Sequence, residues 1–158
     1  MVVRIYADAN ALIRSVEGDD HAASLLNCVF AADGSVIVSS ELTLAEVLVG
    51  PMKLQRQDPA DRRARAWRAS YEALFDKAGV LESAAVSASV LKDAAKLRAE
   101  HVSLKLPDAI HLATAIARGC DVMLSHDKDL LRASASHTHA TWLADRDLDA
   151  LLARIEAP

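Results

Sequence analysis

Apolar residues fall along this chain in two rhythms: short, nearly unbroken runs, and longer stretches with the spacing of one helix face. Val2 to Ala7 is a run of the first kind and reads as a strand closing on Asp8. Asn10 to Val16 follows as a first helix, and Asp19-Asp20 caps a second that runs to about Ala32. Val36 to Ser40 is a buried strand leading into a helix from Glu41 to about Val49, which Gly50 and Pro51 are expected to stop. Asp58-Pro59 predicts the start of the next helix, with proline at its first position. Its apolar stripe is Trp67, Tyr71, Leu74, Phe75 and Ala78, and Gly79 ends it. Val80 to Glu82 reads as a short strand, and Val86 to Glu100 as a helix with Val90, Ala94 and Leu97 inward. Pro107 opens a helix to Arg118 that Gly119 ends. Val122 to Ser125 is a strand just before Asp127, Ala140 to Leu143 a last strand, and Leu148 to Ile155 a last helix.

Strands that alternate with helices predict an α/β fold: a parallel sheet covered on both faces. No linker, repeat or low-complexity tract divides the 158 residues, so a single domain, 1–158, is expected. Ligands of such sheets bind at the carboxyl ends of the strands. Asp8 and Asp127 both follow predicted strand ends.

Those two aspartates belong to a wider acidic set. Glu46 shares a helix face with Leu42, Ala45 and Val49, and it is the only charge from Leu42 to Val49. An unpaired carboxylate costs several kcal/mol to bury, so Glu46 needs a cation, a base or solvent. Asp108 lies in the first turn of its helix, with His111 one turn on along the same face. Asp127 and Asp129 sit in the loop after a strand. Each has an ordinary explanation: Asp8 as a helix cap, Asp108 as a charge matched to a helix dipole, the loop aspartates as turn formers, Glu46 as a surface residue. Together they are harder to dismiss, because carboxylates gathered at one sheet edge raise one another's pKa values. A divalent cation resolves that conflict, and oxygen donors without cysteine favour Mg²⁺ or Mn²⁺ over zinc. Such a centre suits phosphodiester hydrolysis by metal-activated water.

Composition narrows the setting. Apolar residues make up 52%, which excludes a disordered chain, yet no apolar stretch approaches the roughly 20 residues that span a bilayer. The first residues lack the pattern of a signal peptide, so a cytoplasmic location without membrane attachment is the expectation. Cys28 and Cys120 are too few for a disulfide framework and read as small core residues. The net charge is −4, but Lys53 to Arg68 holds six basic residues against two acids. That segment is either a solvated helix face or a surface that steers phosphates, with Arg62, Arg63 and Arg65 as its centre.

Four segments in order resemble the PIN domain, specifically the VapC-type toxins of bacterial toxin–antitoxin pairs: Tyr6 to Leu12, Ser40 to Pro51, Leu106 to Ala115 and Leu124 to Leu130. They span nearly the whole chain. The resemblance implies a three-layer α/β/α fold with a central parallel sheet, and a metal-dependent endoribonuclease using Mg²⁺, with Mn²⁺ as substitute. It maps the family's four acids onto Asp8, Glu46, Asp108 and Asp127, with Asn10 and Ser125 in supporting positions. Ser125 stands where the family usually has threonine, so the hydroxyl is kept. Asp129 is either an additional ligand or part of the loop's structure. The resemblance also implies a homodimer, an RNA substrate and a cognate antitoxin protein.

Three other readings compete. A PIN nuclease of RNA maturation or decay would act outside any toxin pair. A catalytically inactive PIN domain would be a binding module, although all four acids are present. A haloacid-dehalogenase-like phosphatase would need an acid where this chain has Asn10.

Overall fold

The computed structural model describes residues 2–77, 79–137, 140–142 and 145–157. Within them the chain alternates as expected: β1 (Val3–Ala7), α1 (Ala9–Glu17), α2 (His21–Ala31), β2 (Ser35–Ser40), α3 (Glu41–Gln57), α4 (Arg62–Asp76), β3 (Glu82–Ala84), α5 (Ala88–Glu100), α6 (Leu106–Ala117), β4 (Val122–Leu124), α7 (Lys128–Ser134), β5 (Ala140–Trp142) and α8 (Asp145–Glu156). The strands form one sheet in the order β3-β2-β1-β4-β5, and every pairing is parallel.

Side chains on a strand point alternately to the two sheet faces, and this sheet is covered on both. Val3, Ile5 and Ala7 of β1 join Ile37, Val122 and Leu124 in one core, under α1, α2, α4 and α8. Tyr6, Val38 and Met123 point the other way, into a second core with α5, α6 and α7. The result is the three-layer α/β/α arrangement. No helix among the described residues is long and apolar enough to cross a membrane.

The strand order places the chain's reversal at β1. From β1 the chain moves outward through β2 to β3, then returns to lay β4 along β1's other side. Parallel sheets open a crevice at the carboxyl ends of the strands on either side of such a reversal. Here those ends are Ala7 and Leu124, which are paired in register.

Several sequence-based boundaries shift. Gly50-Pro51 does not stop α3, which continues to Gln57 with Pro51 buried. A proline ring normally clashes with the Cβ of the residue before it and drives that residue out of the helical region. Gly50 has no Cβ, which removes that part of the conflict, and the helix continues without the bond that an N–H at 51 would give Val47 O. Asp58 then ends α3, its N–H bonding Leu54 O, and Asp61 rather than Asp58-Pro59 caps α4 by accepting from Ala64 N at 2.9 Å. Ala78, the last of the apolar stripe expected on α4, lies outside the described residues, as does Leu143 of the expected last strand. β3 begins two residues later than the pattern suggests, at Glu82. Helix α7 had no counterpart in the pattern, because Lys128–Ser134 is too short to show periodicity. Cys120 is buried, but Cys28 is exposed on α2 rather than in the core.

Candidate active site

The carboxyl edge of β1 and β4 is built from side chains that also start helices. Asp8 follows β1 and caps α1, Oδ1 accepting from Ala11 N at 2.9 Å. Its backbone N–H donates to Leu124 O at 3.3 Å, which ties the ends of the two strands together. Its other oxygen, Oδ2, accepts a hydrogen bond from the hydroxyl of Ser125. That hydroxyl oxygen in turn accepts from Asp127 N at 3.0 Å. Asp127 caps α7, Oδ1 accepting from Asp129 N and Leu130 N at 2.9 Å each. Ser125 is therefore a connector between two carboxylates.

Asp8 is 3% exposed, and burial holds its pKa above the ordinary aspartate value. The bonds from Ser125 and Ala11 and the nearby His111 and His126 pull the other way without cancelling that effect. Asp108, in the first turn of α6, also has a raised pKa, through partial burial first and the charge of Asp127 second. Asp8 adds to the rise, while His111 and Lys105 oppose it. Asp108 thus lies within electrostatic reach of both Asp8 and Asp127.

Glu46 joins this group through His111. The buried His111 bonds the Tyr6 hydroxyl through Nδ1 at 2.8 Å and Glu46 Oε2 through Nε2 at 2.9 Å. Burial raises the Tyr6 pKa, so its hydroxyl stays neutral and serves as the donor to Nδ1. Nε2 then carries the imidazole proton and donates it to Glu46. Ser40 and Thr43, at the start of α3, lie close enough to the Tyr6 hydroxyl to oppose part of that rise. Glu46 is thus the partnered carboxylate that the nearly apolar stretch from Leu42 to Val49 requires, held by a base rather than by solvent alone.

The supporting positions divide. Asn10 lies on α1 and lines an open depression of about 370 Å³ together with Ile13, Arg14, His126 and Asp127. Asp129 is turned along α7, where Oδ1 accepts from Arg132 at 3.2 Å. Arg62, Arg63 and Arg65 lie on the exposed first turn of α4, at the tip of the α3–α4 hairpin. Gln57, near that tip, is eleven residues beyond Glu46, roughly 16 Å along a helix. Arg65 bonds Pro59 O at 2.5 Å through Nη2, and Arg63 lies over the Trp67 ring at 5.8 Å.

Sequence reasoning missed Tyr6, Arg14 and His126 as parts of this site. Tyr6 carried a signal: it is the one aromatic residue of β1 and points away from Ile5 and Ala7. His111 was visible from its position one turn after Asp108, but its partners were not.

The donors at this edge are almost all oxygens. Asp8 and Asp127 are held by fixed hydrogen bonds, and each keeps lone pairs free. No three of the four acids bring carboxylate oxygens within 4.8 Å of one another among the described residues. Two carboxyl groups with raised pKa values and an all-oxygen donor set fit a hard divalent cation.

Comparison with known proteins agrees with this fold. A family model described as the PIN domain matches residues 5–136. No curated protein matches the chain in sequence. Among solved structures, a toxin–antitoxin complex from Klebsiella pneumoniae is 23% identical with a TM-score of 0.60, covering 87% of this chain and 94% of that one. VapBC2 from Rickettsia felis, bound to a DNA fragment from its promoter, is 18% identical with a TM-score of 0.62, covering 89% and 99%. Mycobacterium tuberculosis VapC20, a sarcin–ricin-loop-cleaving toxin, is 18% identical with a TM-score of 0.63, covering 85% and 97%. At these identities the neighbours establish a shared fold, and with the family model matching most of its length the chain belongs to the PIN domain family.

Proposed function

We propose that this protein is a Mg²⁺-dependent endoribonuclease, the toxin of a type II toxin–antitoxin pair, whose centre is Asp8, Glu46, Asp108 and Asp127. The observation that carries the reading is Asp8: a carboxylate 3% exposed, at the switch point of a parallel sheet, with Asp108 in electrostatic reach and Asp127 joined to it through the Ser125 hydroxyl. A fold does not gain by gathering like charges there, whereas a nuclease does.

Asp8, Asp108 and Asp127 would hold the ion, with Glu46 at the margin. Such an ion, when bound, supplies both the acidity that makes water a nucleophile at neutral pH and the positive charge that offsets the phosphodiester oxygens. The chain's own part is orientation. Ser125 fixes Asp8 against Asp127, and His111 fixes Glu46. The exposed arginines of α4 would guide RNA through its phosphates, which serves only an RNA long enough to lie along the α3–α4 hairpin.

The toxin reading is supported by neighbours whose descriptions name toxin–antitoxin complexes and cleavage of the sarcin–ricin loop. An antitoxin or a second copy of the chain would find exposed apolar surface on α3, where Val49 and Met52 bound an open depression with Lys53 and Arg56. The decisive experiment is RNA cleavage by the purified chain with Mg²⁺, with Mn²⁺, with EDTA, and with Asp8→Asn. Cleavage should need the metal and fall by orders of magnitude in the variant, since an amide is a poor ligand for a hard cation. Undiminished cleavage by Asp8→Asn would remove Asp8 from the centre. Metal-independent cleavage would remove the mechanism.

A further inference from the structure

We propose that Glu100, His101 and His137 form a second metal site, selective for a divalent transition metal of the zinc class, made of residues distinct from the four acids. One ligand atom from each residue lies within 4.8 Å of the other two. The two imidazole rings meet edge to face, 6.1 Å between centroids at 80°.

Helix direction separates His137 from Asp127. Helix α7 starts at Asp127 on the acidic edge and carries the chain roughly 10 Å away to Ser134. His137 follows in a turn, its N–H donating to Ser134 O at 2.8 Å. Helix α5 brings Glu100 to the same place as its last residue, and His101 caps it. At His101 the backbone leaves the helix for an extended conformation (φ −116°, ψ 92°). Consecutive residues of a continuing helix diverge, and this break lets Glu100 and His101 serve one point.

The donors set the choice of metal. Two imidazoles and one carboxylate suit zinc and its neighbours, whereas Mg²⁺ takes oxygen donors. The carbonyl end of α5 adds partial negative charge beside the site. Lys96 borders the same hollow, but it lies 3.3 Å from Asp93, which matches its charge. Tetrahedral zinc with bonds of about 2.1 Å needs donors roughly 3.4 Å apart. The two exposed members, Glu100 and His137, can close that gap by changing rotamer, while half-buried His101 stays as anchor. A bound ion would tie the end of α5 to the turn after α7, positions 36 residues apart (137 − 101).

The test uses the full chain without a histidine tag, stripped with chelator, in an Asp8→Asn/Asp108→Asn background so that zinc at the acidic edge does not contribute. Calorimetric titration with ZnCl₂ should give one ion per chain, and Co²⁺ should give the absorption of a tetrahedral nitrogen–oxygen site. His101→Ala or His137→Ala should weaken binding at least tenfold, and His137→Cys should restore it. His137 is exposed, so its variants test binding without threatening the fold, which circular dichroism would check. Absence of zinc binding in the background chain, or unchanged affinity and stoichiometry in His137→Ala, would overturn the proposal.

Discussion

Replacing Asp8 with asparagine should stabilise the fold while abolishing the chemistry. Asp8 Oδ1 caps α1, and asparagine caps about as well as aspartate, so that bond survives. On the other side the amide nitrogen would face Ser125. The serine oxygen already accepts from Asp127 N and has a second lone pair to accept from the amide. Its own O–H then loses its acceptor. A charge-assisted hydrogen bond of about 1.5–3 kcal/mol gives way to a neutral one of about 0.5–1.5 kcal/mol. Against that loss stands a buried, uncompensated negative charge, which costs several kcal/mol. The raised pKa of Asp8 shows that burial already outweighs its hydrogen bonds, so the balance favours the variant. Above the raised pKa, where Asp8 is ionised in the folded chain, we expect a gain of about 1–2 kcal/mol, or about 2–8 °C in Tm for a domain this size. Asp8→Ala also removes the charge but forfeits the cap, and should melt below Asp8→Asn by about 1 kcal/mol.

The pH dependence fixes the cause. Between the ordinary aspartate value and the raised one, the folded protein holds a proton on Asp8 that the unfolded chain has lost. The wild type's deficit relative to Asp8→Asn is therefore complete above the raised pKa and shrinks as pH falls through it. Thermal unfolding in EDTA, stepped from pH 7 to about pH 4.5, reads this directly. An Asp8→Asn chain that melts below wild type at pH 7, or a gap in Tm that does not change with pH, would refute the argument.

Other predictions can be checked alongside. Ser125→Ala should weaken Mg²⁺ binding in calorimetry, since it frees Asp8 and leaves Asp127 N without its acceptor, whereas Ser125→Thr should keep binding near wild type. His111→Ala should cost about 2–4 kcal/mol in denaturant unfolding, because it opens a cavity and strips the buried Tyr6 hydroxyl of a partner. Gly119→Ala should cost about 1–2 kcal/mol. Gly119 sits at φ +62° in a Schellman motif in which Cys120 N bonds Ala115 O and Gly119 N bonds Ile116 O. Gln at Arg62, Arg63 and Arg65 together should weaken RNA binding at low salt and flatten its salt dependence in a filter or anisotropy assay, with little change in cleavage position.

The sequence carried most of the fold because local chemistry and tertiary packing agree along much of it. Asp20 caps α2, Gly119 ends α6, and Val90, Ala94 and Leu97 face inward, all as their spacing predicts. Legibility failed where two local rules met. Pro51 usually breaks helices, but Gly50 before it removes the part of the conflict that a preceding Cβ adds, and the buried Pro51 is carried through. It failed again where seven residues were too few for a period, as in α7. Asp8, Asp127 and Asp108 could be singled out by their position after strands or at the start of a helix. The Tyr6–His111–Glu46 chain could not, since its members are joined only once three elements are packed.

The order of the strands also bears on synthesis. β1 precedes the other four strands of its sheet in the sequence, yet it is their centre, and its partner β4 begins only at Val122. Asp8 and Asp127 are 119 positions apart (127 − 8), about 6–24 s of translation at roughly 5–20 residues per second. Until β4 emerges, one edge of β1 is unpaired, Asp8 lacks Ser125, and the acidic centre does not exist. On the proposed reading, a nascent chain that stops short of β4 therefore carries no nuclease, and its premature release would leave an open strand edge rather than an active fragment.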